Sequence, residues 1–102
     1  MKTYYIYIVQ CSDGLYYTGM TNDLERRIME HQNGEDPRSF TFRRRPVNLV
    51  WYTSTNDVGY AIDKEKQIKK WSKAKKEALI RSDWYTLVNL SKKEKWKKEE
   101  DD

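Results

Sequence analysis

The sequence predicts a small α/β domain of the α+β type: a three-stranded, mainly antiparallel sheet flanked by helices, in the order β-β-α-β-α-α. Three observations predict it. A β-branched and aromatic run near the N-terminus is followed by Ser12-Asp13-Gly14 and a second such run, the pattern of a hairpin. A third run, VNLVWYT, follows Pro46. Between and after these runs, apolar residues recur at helical spacing behind capping residues. At 102 residues the chain has room for one core.

Each element follows from its residues. Thr3 to Gln10 (TYYIYIVQ) reads as the first strand, and Leu15 to Thr18 as the second. Thr21-Asn22-Asp23 offers an N-cap, with Glu25 three positions after Asn22. A helix follows over about 23–33, with Leu24, Ile28 and His31 on one face and Gly34 as its C-cap. The segment from Gly34 to Pro46 lacks a period and is long for a connection, which favours function or mobility. Val47 to Thr53 forms the third strand. Asn56-Asp57 caps a second helix reaching about Trp71, with Ala61, Glu65 and Ile68 on its inner stripe. Ser72 caps a short third helix to about Arg81, and Asp83 to Leu90 adds a turn or two. The expected organisation is one domain over 1–90 and a charged, disordered tail over 91–102.

The hairpin register decides which tyrosines meet. A two-residue loop would pair Gln10 with Tyr17 and put Tyr7 and Tyr17 on opposite faces. A three-residue loop with Gly14 left-handed pairs Cys11 with Leu15 and Val9 with Tyr17, making Tyr7 and Tyr17 diagonal neighbours on one face. The three-residue form is the expectation.

Composition narrows the function classes. Basic residues number 20 against 16 acidic ones, and the net charge is +4. Residues 91–102 hold five Lys and five acids, so the excess lies in 1–90. A basic domain suggests a polyanionic partner. Eight Tyr and four Trp argue against disorder. The single cysteine, Cys11, excludes an internal disulfide and a multi-cysteine zinc site. No stretch approaches the ~18 apolar residues of a membrane span, and the N-terminus lacks an uninterrupted apolar signal. A cytoplasmic, monomeric protein with no membrane association is expected.

The residues able to carry chemistry are few. Arg27 and His31 neighbour each other at i, i+4 on the first helix. Glu65 sits on the inner stripe of the second, where a carboxylate needs a cation or hydrogen bonds. Gly19 ends the second strand, where a missing side chain lets a ligand approach the backbone. With Tyr7 and Tyr17 these make a set suited to a phosphodiester: a guanidinium for phosphate charge, a carboxylate for a divalent cation, and a phenol or imidazole for water. Bland readings exist beside this one. Arg27 could pair with Asp23 or Glu30, and Glu65 with Lys69, each on its own helix.

Tyr5-Ile6-Tyr7, Tyr17-Thr18-Gly19, Arg27, His31 and Glu65, in this order and spacing, resemble the GIY-YIG nuclease superfamily, most of all its short single-domain bacterial members. The resemblance runs over about 4–80, through YIYIVQCSDGLYYTG, TNDLERRIMEH, RRPVNLVWY and EKQIKKWSKAKKEALI. It implies a three-stranded antiparallel sheet flanked by helices and metal-dependent phosphodiester hydrolysis around one divalent cation, Mg²⁺ or Mn²⁺. It also implies residue roles. Tyr7 and Tyr17 activate or orient water, Arg27 stabilises transition-state charge, His31 is a frequent polar site residue, and Glu65 is the protein's metal ligand. Tyr5 stands where the family name has Gly, and Thr18 where it has Ile.

Nucleic acid, DNA first, is the expected partner. Arg43, Arg44 and Arg45 follow Phe40 and Phe42 in the long loop, and seven Lys fall between Lys64 and Lys76. A groove of Gly19, Arg43, Arg44, Arg45, Lys69 and Lys70 would hold a phosphate backbone, with the Phe rings available to stack on bases. The alternative is a weak or inactive nucleic-acid-binding module that uses the same groove.

Overall fold

The computed structural model describes residues 2–100, with side chains described to residue 92. The elements are β1 (Tyr4–Gln10), β2 (Tyr16–Thr21), α1 (Leu24–Asn33), a 3₁₀ turn at Phe42–Arg44, β3 (Asn48–Thr55), α2 (Val58–Lys69), α3 (Lys73–Ile80) and α4 (Trp84–Glu100). The sheet has three strands in the order β2-β1-β3, antiparallel throughout. This is the predicted α+β architecture, with a longer β2, a third strand shifted forward, and a last helix that continues past Leu90. Asp101 and Asp102, the end of the expected tail, lie outside the described residues.

The hairpin takes the three-residue form. Val9 pairs with Tyr17 and Tyr7 with Gly19. The Cys11 amide donates to the Leu15 carbonyl at 2.8 Å, and Gly14 has φ 86°, the left-handed region that glycine enters without a Cβ clash. Tyr5, Tyr7 and Val9 therefore share one face of β1, and Ile6 and Ile8, both fully buried, point to the other.

The chain divides into two compact units, Met1–Lys70 and Trp71–Asp102. The first contains every candidate site residue. Its core joins Tyr7, Val9, Cys11 and Val47, with Tyr17, Leu24 and Ile28 packed against them. Two caps start its helices: Asp23 accepts from the Arg26 amide, and Asp57 from the Tyr60 amide. Gly34 ends α1 at φ 64°. Ala61 and Ile68 are buried on α2, as the stripe required. In the second unit α3 starts at Ser72, whose side chain accepts from the Lys75 amide, and packs against α4. On α4, Leu87 is half-buried while Trp84 and Val88 are exposed, so these residues at i, i+3 and i+4 do not form one buried stripe.

The long segment after α1 is pinned at several points. The Gln32 side chain bonds both the amide and the carbonyl of Val47. The Ser12 amide donates to the Arg44 carbonyl at 2.8 Å, tying the segment to the hairpin turn. Thr41 is 1% exposed. Those bonds fix a connection that its length alone left open. Among the described residues no helix is long and apolar enough to cross a membrane.

Candidate active site

β1, β2 and α1 bring Tyr7, Tyr17, Arg27 and His31 together. Tyr7 and Tyr17 are diagonal neighbours with ring centres 6.4 Å apart. The His31 ring lies 5.9 Å from that of Tyr7 and 5.4 Å from that of Tyr17. The Tyr7 hydroxyl and His31 Nε2 are 2.8 Å apart, a buried hydrogen bond between elements 24 residues apart in sequence. Arg27 donates to Glu30 at 3.2 Å, and its charge is felt at the Tyr7 phenol. The ion pair expected of a merely structural Arg27 is present, and the same guanidinium also serves the phenol.

These contacts set the charges. Burial pushes the Tyr7 phenol up to about 12, and Arg27 only partly opposes it. Burial, aided by the charge of Arg27, lowers the pKa of His31, with Glu30 opposing. Burial also works against the charge of Arg27, but Tyr7 and Glu30 together outweigh it and hold the guanidinium protonated. At neutral pH the cluster is a neutral phenol, a neutral imidazole and a cation.

His31 Nδ1 lies 2.8 Å from the hydroxyl of Thr41, which lies 3.0 Å from that of Ser39. Thr41 belongs to the site and was absent from the sequence reading. No local period marks a hydroxyl that will meet a histidine ten residues back.

Gly19 has a different local job from the one expected. A Cβ there would run into the Tyr7 phenol. The cleared space is filled by Tyr7 itself, and Gly19 is buried. Thr18, opposite Ile8, is buried, and its hydroxyl has no hydrogen-bond partner among the described residues.

Glu65 reaches this group through Lys69. The carboxylate, 18% exposed, pairs with the Lys69 ammonium at 3.2 Å. That ammonium lies 5.3 Å from the centre of the Tyr17 ring. The helix pairing anticipated for Glu65 is thus real, and it sits beside one of the two phenols.

The basic loop is partly committed to structure. Arg44 pairs with Asp13 at 3.1 Å, donates to the Phe40 carbonyl at 2.8 Å and covers the Phe40 ring at 4.0 Å. Phe40 stacks on Tyr17, with centres 6.1 Å apart and planes 21° from parallel. Arg45 covers the Phe42 ring at 4.7 Å and donates to the Phe42 carbonyl at 2.9 Å. Each Phe ring thus carries a guanidinium, Phe40 also stacks on Tyr17 while remaining 39% exposed, and an acid absent from the local sequence, Asp13, offsets the arginine run. Arg43 and Lys70 are exposed.

A hydrogen-bonded Tyr–His pair beside a second Tyr and a half-buried Arg, on a three-stranded antiparallel sheet, defines the class. A family model described as the GIY-YIG catalytic domain matches residues 3–78, and the chain belongs to that family. Within it, the chain is 44% identical over 80 residues to a UPF0213 protein of Staphylococcus saprophyticus, covering 78% of this chain and 96% of that one. A UPF0213 protein of Halobacterium salinarum is 43% identical over 77 residues, covering 76% and 99%. Among solved structures, the UPF0213 protein of Bacillus halodurans is 37% identical with a TM-score of 0.52, covering 78% of this chain and 83% of that one. A protein of E. faecalis is 30% identical with a TM-score of 0.57, covering 80% and 86%.

Proposed function

We propose that this protein is a metal-dependent endonuclease that hydrolyses phosphodiester bonds in nucleic acid, with DNA the first substrate class to test, acting as a cytoplasmic monomer. The observation that carries the reading is the bond between the Tyr7 hydroxyl and His31 Nε2, flanked by Tyr17 and Arg27.

Arg27 is a permanent cation beside the phenol, suited to a non-bridging phosphate oxygen and to the charge that grows there. A phenol held near 12 is a poor base as phenolate at neutral pH. Tyr7 can instead pass a proton on. As the attacking water gives a proton to the Tyr7 oxygen, Tyr7 gives its own to His31 Nε2; the hydroxide bonds to phosphorus, the P–O bond to the leaving oxygen breaks with its electron pair on that oxygen, and the leaving oxygen takes a proton from solvent. The phenol stays neutral and His31 becomes the cation. Tyr17, packed edge-on to His31, orients the same water.

Among the described residues there is no cluster of three or more His, Cys, Asp or Glu that would hold a metal. The donor that fits is Glu65, a mostly buried carboxylate already matched to a cation, the Lys69 ammonium. One carboxylate with waters and phosphate oxygens is how Mg²⁺ is commonly held at such sites. Bound there, Mg²⁺ or Mn²⁺ would supply charge to the scissile phosphate and its leaving oxygen. Arg43, Lys69 and Lys70 supply positive charge for the backbone. Arg44 and Arg45 shape the loop around them, and Gly19 clears the space in which Tyr7 lies.

The test is cleavage of branched, single-stranded and duplex substrates with Mg²⁺ or Mn²⁺. Glu65→Ala and Arg27→Ala are each expected to cost about a hundredfold or more. No cleavage of any substrate, with binding that weakens steeply as salt rises, would establish the binding module instead. Full activity in Glu65→Ala would remove the proposed metal ligand.

A further inference from the structure

We propose that Thr41 is a positioning residue for His31: its hydroxyl holds the imidazole as the Nδ1–H tautomer and aims the Nε2 lone pair at Tyr7. The purpose of this arrangement rests on the nuclease reading above; the arrangement itself does not.

Donors and acceptors decide the direction of each bond. The hydrogen-bond partner of the Tyr7 hydroxyl is His31 Nε2, and the charged group acting on it from nearby is Arg27. A guanidinium only donates, so the phenolic hydrogen has one acceptor between them, His31 Nε2. A neutral imidazole that accepts at Nε2 carries its hydrogen on Nδ1. That hydrogen points to Thr41 Oγ1, 2.8 Å away. The Thr41 hydroxyl then gives its own hydrogen to Ser39 Oγ at 3.0 Å. All bonds run one way, from Tyr7 through His31 and Thr41 to Ser39.

Burial makes the arrangement obligatory. Tyr7, His31 and Thr41 are 1%, 4% and 1% exposed. A ring nitrogen that lost its partner here would have only water from the adjoining cavity to replace it. The chain ends at a cavity of about 210 Å³ lined by Arg27, Glu30, His31, Ser39 and Thr41 among others. Thr41 is held from its own side as well, by the turn in which the Ser39 carbonyl accepts from the Phe42 amide at 3.1 Å. The long segment after α1 thus has a task that its sequence did not announce. It carries a hydroxyl back to the imidazole.

His31 is the only histidine, so its ring nitrogens give unambiguous signals in ¹⁵N-edited NMR. Above its pKa, the wild-type protein is expected to show a protonated Nδ1 and an unprotonated Nε2. Thr41→Val leaves Nδ1–H without its acceptor while Tyr7 still donates to Nε2, so it is expected to raise the Nε2–H share measurably above that of the wild-type protein, and Thr41→Ser to restore the wild-type pattern. In a cleavage assay Thr41→Val is expected to lower kcat about tenfold to a hundredfold with little change in KM. An Nε2–H ring in the wild-type protein overturns the proposal, and so does an unchanged tautomer in Thr41→Val. If Thr41→Val does not fold, the wild-type and Thr41→Ser spectra decide alone. The spectra need no substrate: a pinned Nδ1–H ring in a protein that cleaves nothing would refute the nuclease reading while upholding this one.

Discussion

Lys69 holds its ammonium 3.2 Å from Oε1 of Glu65 and 5.3 Å from the centre of the Tyr17 ring. A side chain thus supplies the positive charge next to the carboxylate that a divalent cation would use. Lys69 is half-exposed, so solvent screens the pair toward the roughly 0.3–0.5 kcal/mol of a helix i, i+4 pair, and the competition is mild. Lys69→Met is expected to tighten Mn²⁺ binding roughly twofold, read by calorimetry or electron paramagnetic resonance without nucleic acid. The same variant should weaken binding of an oligonucleotide, because a phosphate contact is lost. Weaker Mn²⁺ binding in Lys69→Met would place the metal elsewhere.

Gly19 and Tyr7 are cross-strand partners, and the phenol lies where a Cβ would stand. Gly19→Ala is expected to cost about 1–3 kcal/mol through displacement of a well-packed ring. A thermal melt reads it. The Tyr7–His31 bond should loosen in the same variant, seen as a shift of the His31 ring signals. An unchanged melting temperature with unchanged His31 signals would contradict the close approach.

Thr18 carries a buried hydroxyl without a partner among the described residues, at the position where the family name has Ile. Thr18→Val keeps the shape and removes the polar group. It should stabilise the fold by about 1 kcal/mol, measured by urea denaturation. A loss of stability would mean that the hydroxyl has a partner after all.

Two buried groups give the fold a pH signature. His31 titrates lower in the folded protein than in the unfolded chain, so the unfolded state binds more protons as pH falls below about 6.5. Stability is therefore complete above that pH and declines as pH drops through the folded value. Tyr7 is the reverse case. Its folded pKa is raised from 10.0 to about 12, so stability holds below 10 and falls between 10 and 12, by about 3 kcal/mol from this group. Unfolding midpoints of the wild-type protein, His31→Gln and Tyr7→Phe across pH test both. The acid limb should flatten in His31→Gln, and the alkaline loss should shrink in Tyr7→Phe. Parallel curves in all three would remove both assignments.

Much of the fold could be read from local chemistry. Strand runs, the Asp57 and Ser72 caps and the Gly34 terminus act through backbone groups a few residues away, so short windows carry their signal. The hairpin register was legible for the same reason: Ser12-Asp13-Gly14 sets the loop, and period two then places Tyr7 and Tyr17 on one face. The family was legible because Tyr7, Tyr17, Arg27, His31 and Glu65 keep their order and spacing.

What the tertiary structure alone decided are partnerships across distance. Asp13 offsets Arg44, Phe40 stacks on Tyr17, and Tyr7 fills the space at Gly19. The imidazole of His31 finds Thr41 only when the segment after α1 folds back over it. Sequence determines which donors, acceptors and rings exist and how neighbours along the chain will arrange them. Which donor meets which acceptor is settled when burial removes water as a partner and each remaining polar group must find another.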